Sequence, residues 1–321
     1  MQFARRSQVF LAALALSICA LPVRAADVNK FLPDDAEIIM VLNVQQILAS
    51  PLVQKNALPH IKQLMQSDEK IKKILEGLGF DPLKDLTRVT VCGSAISPDA
   101  KNAVIIEGNF DVAKFEAKAL ELTKEKADML KAIVEGGHKL IEIKNPNEDK
   151  PAYAALIDKN TAVVSQDKAF VIDSYERAAG KKKVTLKKDV QALIEKVNQN
   201  QSMWLVAPGA VFAKSPLAEE EKAKKIIEKI DSLNVGFTLT EDFSMTTAIV
   251  TKSTEAAKEI SEEIQNGLEQ IKGLLSLIAG QQKELAPLVD VVGSIKVATE
   301  NTTITLKSDV SKDTIEKGLK K

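Results

Sequence analysis

The residues that commonly carry catalysis are scarce in this chain. Beyond the first 25 positions it has two histidines, His60 and His138, and one cysteine, Cys92. A hydrolase triad needs a base beside its nucleophile. His60 follows Pro59 in a helical stretch and His138 follows Gly136-Gly137 at a turn, so both read as surface or structural residues outside any motif. Two histidines and one cysteine are too few for a typical zinc site. Cys92 lies in a predicted strand, which suits a buried, inert thiol. The glycine patterns of dinucleotide and phosphate loops are missing. Asp34-Asp35 and Asn147-Glu148-Asp149 offer oxygens to calcium without the spacing of a calcium loop. Trp204, the one tryptophan, falls in an apolar run and reads as core, not as a stacking platform for sugars or bases. The carboxylates with an enzymatic reading are Asp81 and Asp85, in the loop from Gly79 to Asp85, where they would serve an unfamiliar hydrolase. No catalytic, cofactor-binding or metal-ligating residue is assigned, and no cofactor is implied.

The elements that would position any site are organised around a recurring stretch. Ser50-Pro51-Leu52 comes back as Ser215-Pro216-Leu217, each after an apolar run: Ile38 to Leu42, and Met203 to Val206. At an offset of 165, Val41 falls on Val206 and Ile61 on Ile226. In each copy the serine is a good N-cap and the proline suits the first helical position, so a helix start explains the motif without a nucleophile. Pro59 is expected to kink the first of these helices. The strand expected from about Glu37 to Asn43, nearly all apolar after its start, suits burial on both faces. Leu86 to Val91 then matches Ile230 to Val235 at an offset of 144. The first copy therefore carries an insertion of about 21 residues, roughly Ser67 to Thr87. It reads as an amphipathic helix bearing Ile71, Ile74, Leu75 and Leu78, then the 79–85 loop, either capping the core or forming a loop face with a role of its own.

Farther along, Asn109 and Ser253 are candidate N-caps, and Ile260, Ile264, Leu268, Ile271, Leu275 and Ile278 form one helical stripe. Such a stripe is core, or in part a face for a partner helix. Hairpins are expected over Tyr153–Ser165, turning at Asp158-Lys159-Asn160, and over Val297–Leu306, with Asn160-Thr161 matching Asn301-Thr302 at an offset of 141. The first copy has an extra strand, Lys139 to Lys144; at the matching place Gln281 to Leu288 reads as helical. Helices are expected from about Lys168 and from about Ser311. The lysine-rich stretch around Lys181-Lys182-Lys183, Lys187 and Lys188 reads as a solvated connector.

Composition bounds the rest. The chain has 321 residues, 45% of them hydrophobic but only 4% aromatic, so its core is built from aliphatic side chains. Arg5 and Arg6 before the apolar run Val9–Ala20, with Val23-Arg24-Ala25 after it, read as a signal peptide. The alternatives weighed are an uncleaved anchor and a lipoprotein using Cys19, where Ile18 stands in place of a small residue. Cleavage near Ala25 removes three arginines and no acid, leaving 41 basic and 44 acidic residues and a net charge near −3. That balance argues against nucleic acid, and no later segment is long and apolar enough to span a membrane.

The run Leu32-Pro33-Asp34-Asp35-Ala36, the strand after it, Ser50-Pro51-Leu52, and Gly79-Phe80-Asp81-Pro82-Leu83-Lys84-Asp85-Leu86 together resemble a loosely defined group of secreted bacterial proteins of unknown function, plentiful in planctomycete-like genomes. The resemblance implies an exported, duplicated α+β protein and carries over no activity and no site residues. The expected organisation is a signal peptide over 1–25, a first α+β lobe over 26–180, a connector over 181–200 and a second lobe over 201–321. The expected fold class is α+β, with largely antiparallel sheets packed by amphipathic helices. The expected function is exported, non-enzymatic binding of a small-molecule or protein partner, in the cleft between the lobes if the ligand is small. The unfamiliar hydrolase and a structural component of the cell envelope are the alternatives.

Overall fold

In a computed structural model of the chain, described for residues 28–97, 100–281 and 286–319, one antiparallel sheet runs through the whole molecule. The signal-peptide stretch, and parts of the 97–102 loop and of the segment 281–288, lie outside the described residues. Strand β1 (Ile38–Asn43) leads into helices α1 (Val44–Ala49), α2 (Pro51–Asn56), α3 (Leu58–Ser67) and α4 (Glu69–Leu78). Strands β2 (Leu86–Gly93) and β3 (Asn102–Gly108) come next, then α5 (Val112–Glu125), β4 (Leu130–Glu135), β5 (His138–Ile143), β6 (Ala152–Asp158), β7 (Thr161–Ser165) and α6 (Lys168–Ala178). Helix α7 (Lys188–Lys196) precedes β8 (Met203–Pro208), two 3₁₀ turns, α8 (Glu221–Ile227), β9 (Ile230–Leu239) and β10 (Phe243–Thr251). The chain closes with α9 (Thr254–Gln281), α10 (Ala286–Ser294), β11 (Lys296–Glu300), β12 (Thr303–Val310) and α11 (Lys312–Leu319).

The twelve described strands lie in the order β11-β12-β10-β9-β8-β1-β2-β3-β7-β6-β5-β4. The two expected lobes are thus halves of one sheet, joined where β1 pairs antiparallel with β8, Ile39 opposite Val206 and Val41 opposite Trp204. Outward from that seam, β1-β2-β3-β7-β6 has the same order as β8-β9-β10-β12-β11, and the first half adds the β5–β4 hairpin at its edge. The starts of β1 and β8 differ by 165 residues and those of β2 and β9 by 144, the intervals seen in the recurring sequence. With the halves joined edge to edge, the space between them is a seam in a sheet, and the cleft expected there is replaced by that seam.

The main core lies on one face around this seam. Ile39, Val41, Cys92, Ile105, Val163 and Val206 pack there beneath the lead-in residues Phe31 and Leu32 and helices α6 and α7. On β1, Ile39 and Val41 are buried while Ile38, Met40 and Leu42 are half-covered, so the strand is fully buried on one face only, contrary to the apolar run. The helix packed against β1 and β2 is the six-residue α1, too short to cover a second face. A smaller core forms where Ala257 and Ile260 of α9 meet Ile304 of β12.

Local signals decide several joints. Asp68 caps α4 by accepting from Lys70 and Ile71 amides. Gly79 ends it at φ 63°, a left-handed conformation open to glycine at little steric cost. Pro59 does not kink a continuous helix. The chain turns at Ala57, and α3 restarts with the proline in its first turn, where the missing N–H breaks no hydrogen bond. Asn109 caps nothing: its N–H is taken by the Asp85 carbonyl at 2.8 Å, and Asp111 caps α5 instead. Ser253 does accept from Ala256 at the start of α9. Strand β4 has no clear alternation and pairs with β5 only as an edge hairpin. Its two-glycine turn has φ values of 60° and 84° at Gly136 and Gly137.

The lysine-rich connector is more than solvated chain. Its Val190 and Ile194, on α7, are fully buried in the main core. Lys182 pairs with Asp173, and Lys187 with Glu37. The apolar stripe of α9 divides as well. Ile260 is buried near the N-terminus, whereas Ile271 is 49% exposed and Leu275 and Ile278 are half-buried toward the C-terminus, beside α10.

Candidate functional site

The insertion forms one side of a broad groove. Helices α1 to α4 and the 79–85 loop line an open groove of about 890 Å³, a volume within the range of small-molecule sites. Its walls are mainly apolar, with Leu58 and Met65 of α3, Leu75 of α4, and Phe80 and Leu83 of the loop. Neither α3 nor α4 has a fully buried residue, although α4 is amphipathic, with Ile71, Ile74, Leu75 and Leu78 on one side. An amphipathic helix on a globular protein ordinarily turns its apolar face to the core. Here that face turns to α5, α3 and the groove instead of to the sheet. Lys62 and Lys72 stand at the groove and have no ion-pair partner among the described residues.

The aspartates of this loop hold it in shape. The Asp81 carboxylate accepts from the Leu83 N–H at 3.0 Å, and Lys84 Nζ lies 3.1 Å from it. Asp85 accepts from the Asp81 N–H at 2.7 Å, while the Asp85 N–H donates to the Asp81 carbonyl, also at 2.7 Å. Each carboxylate is therefore a turn acceptor facing its own loop, in the manner of an Asx turn. Across the loop, Phe80 stacks on Phe110 with centroids 5.1 Å apart, which anchors the groove to the start of α5.

The remaining residues of chemical interest fall apart in space. His60 sits exposed on α3. His138 stacks on Tyr175 at 4.4 Å and lies 3.4 Å from a Glu176 oxygen, on the far hairpin of the first half. The Tyr175 hydroxyl donates to the Lys139 carbonyl at 2.7 Å. Cys92 is buried on β2, and burial, helped by Asp35, pushes its thiol up to about 12, which suits the inert thiol expected there. Glu148 ties its loop down by accepting from Asn145 and Gln166. Trp204 is buried at the seam. Among the described residues no three histidine, cysteine, aspartate or glutamate side chains come together to hold a metal, and no helix is long and apolar enough to cross a membrane.

Asp34 belongs to a clasp that only the fold reveals. Arg177, on α6 and 3% exposed, donates to the Leu32 carbonyl and to the Asp34 carboxylate, both at 2.9 Å. Asp34 also accepts from the Thr185 N–H. Burial acts to raise the Asp34 carboxyl, but the Thr185 amide, Arg177 and Lys182 outweigh it and hold the group below its ordinary value. The lead-in run Leu32-Pro33-Asp34 is thereby pinned to α6 and to the connector. The charged types were legible in sequence; their meeting across more than 140 residues was not.

No protein-family model matches this chain, and no curated protein matches it in sequence. Among solved structures the fold is similar to that of TP0453. Crystal form III has a TM-score of 0.50 at 9% identity, covering 90% of this chain and 97% of that one. Crystal form I has a TM-score of 0.46 at 12% identity, covering 92% of this chain and all of that one.

Proposed function

We propose that this is an exported, non-enzymatic binding protein, built by duplication, whose ligand is a small amphiphile with an acidic head. The observation that carries the reading is the groove of about 890 Å³, walled by apolar side chains on two helices that bury nothing fully in the core. A helix pair that contributes so little to the core is retained for some other reason, and lining a site is one. Burial of an alkyl chain there gains about 0.8 kcal/mol per CH₂, and Lys62 and Lys72 supply cations for the head. Export rests on the signal-peptide pattern of residues 1–25 and on the resemblance to secreted proteins. Against the carboxylate-hydrolase alternative weighs that Asp81 and Asp85 each accept a backbone N–H within their own turn.

The test is titration of residues 26–321 with a dansyl-labelled undecanoate, followed by dansyl emission. Saturable one-to-one binding is expected, weakened at least about tenfold by Leu75→Glu. It should be unchanged by Leu277→Glu, which alters an exposed apolar residue of the other half. Unsaturable binding, or loss in Leu277→Glu alone, would reject the groove. Turnover of an ordinary substrate by the purified protein would reject the non-enzymatic role.

A further inference from the structure

A different site lies under the seam itself. On the core face of the sheet, Thr90 of β2 stands opposite Val41 of β1, and Val41 stands opposite Trp204 of β8. Beneath this row a small chamber opens between the sheet, the lead-in and α7, lined also by Leu32, Ile194 and Gln199. Thr90 is fully buried, and its hydroxyl has no hydrogen-bond partner among the described residues; the same holds for the buried Nε2 of Gln199. A buried polar atom left unpaired costs about 1–3 kcal/mol, and valine would fill the Thr90 position with the same shape. Two such atoms lining one chamber mark a site shaped for something that bonds to both.

The chamber admits only a very small guest. Its free volume is about 20 Å³, just above the ~10–15 Å³ that one water needs. Val28, Ile39, Val41 and Ile194 give it apolar walls, and besides Thr90 and Gln199 it is lined by the polar Asn29 and by Arg88, which is exposed. Farther along, Arg88 and Gln199 also line a shallow surface pocket, where two amides tie the 199–201 loop to the first half. There Asn43 donates to the carbonyls of Gln199 and Gln201, and Gln46 to that of Asn200. Gln199 lines both spaces, and its Nε2 is buried. We propose that the chamber is a built site for one internal water. It accepts from Gln199 Nε2, bonds the Thr90 hydroxyl, and so joins the first half of the sheet to the segment that leads into the second.

The sign of one substitution decides the matter. With a resident water, Thr90→Val removes a partner and lowers the melting temperature of residues 26–321 by about 2–4 °C; Thr90→Ser keeps the hydroxyl and so most of the melting temperature. Gln199→Met should lower it too. The double variant should be no worse than the poorer single, because either change already evicts the water. Trp204 lines the chamber and is the one tryptophan, so its emission should shift to the blue in Thr90→Val. A crystal structure that resolves solvent should show one ordered peak within hydrogen-bonding distance of both atoms. A melting temperature unchanged or raised in Thr90→Val, strictly additive singles, or no such peak would each overturn the proposal.

Discussion

The two halves of the sheet place the same tripeptide at the same point, after the seam strand, and do opposite things with it. In the first half, Ser50 accepts from the Val53 N–H at 3.2 Å and starts α2, and its hydroxyl also donates to the Thr240 carbonyl of the other half. In the second, Ser215 makes no cap. Its hydroxyl donates backwards to the Phe212 carbonyl at 2.6 Å, and Pro216 opens only a 3₁₀ turn. The first crossover then runs through α3, α4 and the groove before reaching β2, whereas the second runs through α8 straight into β9. A capping signal therefore states what a serine is able to do. The length of chain beyond the serine, and how soon that chain must rejoin the sheet, decide whether the cap forms.

The shorter crossover is also the tighter one, and this gives the largest expected effect. A Cβ added at Gly209 would sit 2.1 Å from the Ile230 carbonyl oxygen, a backbone atom that has no room to yield. Gly209→Ala should cost about 3 kcal/mol in urea unfolding. At the matching position 165 residues earlier stands Val44, half-buried at the start of α1. Val44→Ala should cost less than about 1 kcal/mol. Equal costs would mean that the two crossovers are equally packed.

The clasp sharpens the contrast next, since it fastens the beginning of the first half alone. Arg177→Ala should cost about 2–3 kcal/mol, because it strands a buried carbonyl and loses packing. The clasp should also be acid-sensitive. The Asp34 carboxyl lies below its ordinary value in the folded chain, so its contribution is complete above the unfolded value of about 3.9. It is lost as the pH falls through the lower folded value. Asp34→Asn should flatten that part of the stability profile, measured by denaturant midpoints between neutral pH and about pH 3. A profile identical to that of the parent chain would place the acid sensitivity elsewhere.

The smallest effects belong to the serines themselves. Ser50→Ala should cost about 1 kcal/mol through the lost cap. Ser215→Ala should cost a few tenths, because the Phe212 carbonyl keeps the Ser215 N–H at 3.1 Å. Parity between them would show that the Ser215 bond carries as much as a cap.

Much of the fold was legible because it is written in short spans. The strands at Ile38–Asn43, Met203–Pro208, Ala152–Asp158 and Thr161–Ser165 arise from apolar runs, and the turn at Asn301, with φ 52°, from a residue that tolerates the left-handed region. The insertion was visible as a change of interval from 165 to 144, and the helix inside it as a four-residue stripe. The site was less legible. Asp81 and Asp85 have the residue type of a catalytic pair, but whether a carboxylate faces substrate or its own turn depends on which amides lie within 3 Å, and sequence does not state that. The groove could be guessed only as a role for the inserted loop, since its walls come from four short helices whose packing is set together.

What the sequence alone determined is the fold class of this protein and the place of most strands and helices, though not of α1, β4 or α7. Backbone preference and hydrophobic period act over a few residues and need no partner. Tertiary structure decided that the recurring halves share one sheet through β1 and β8. It also set Arg177 on Asp34, left Ser215 uncapped, and put Thr90 and Gln199 at one chamber. Each of these joins residues more than 100 positions apart or turns on how the chain around them packs, and such contacts exist only once the chain has folded around them.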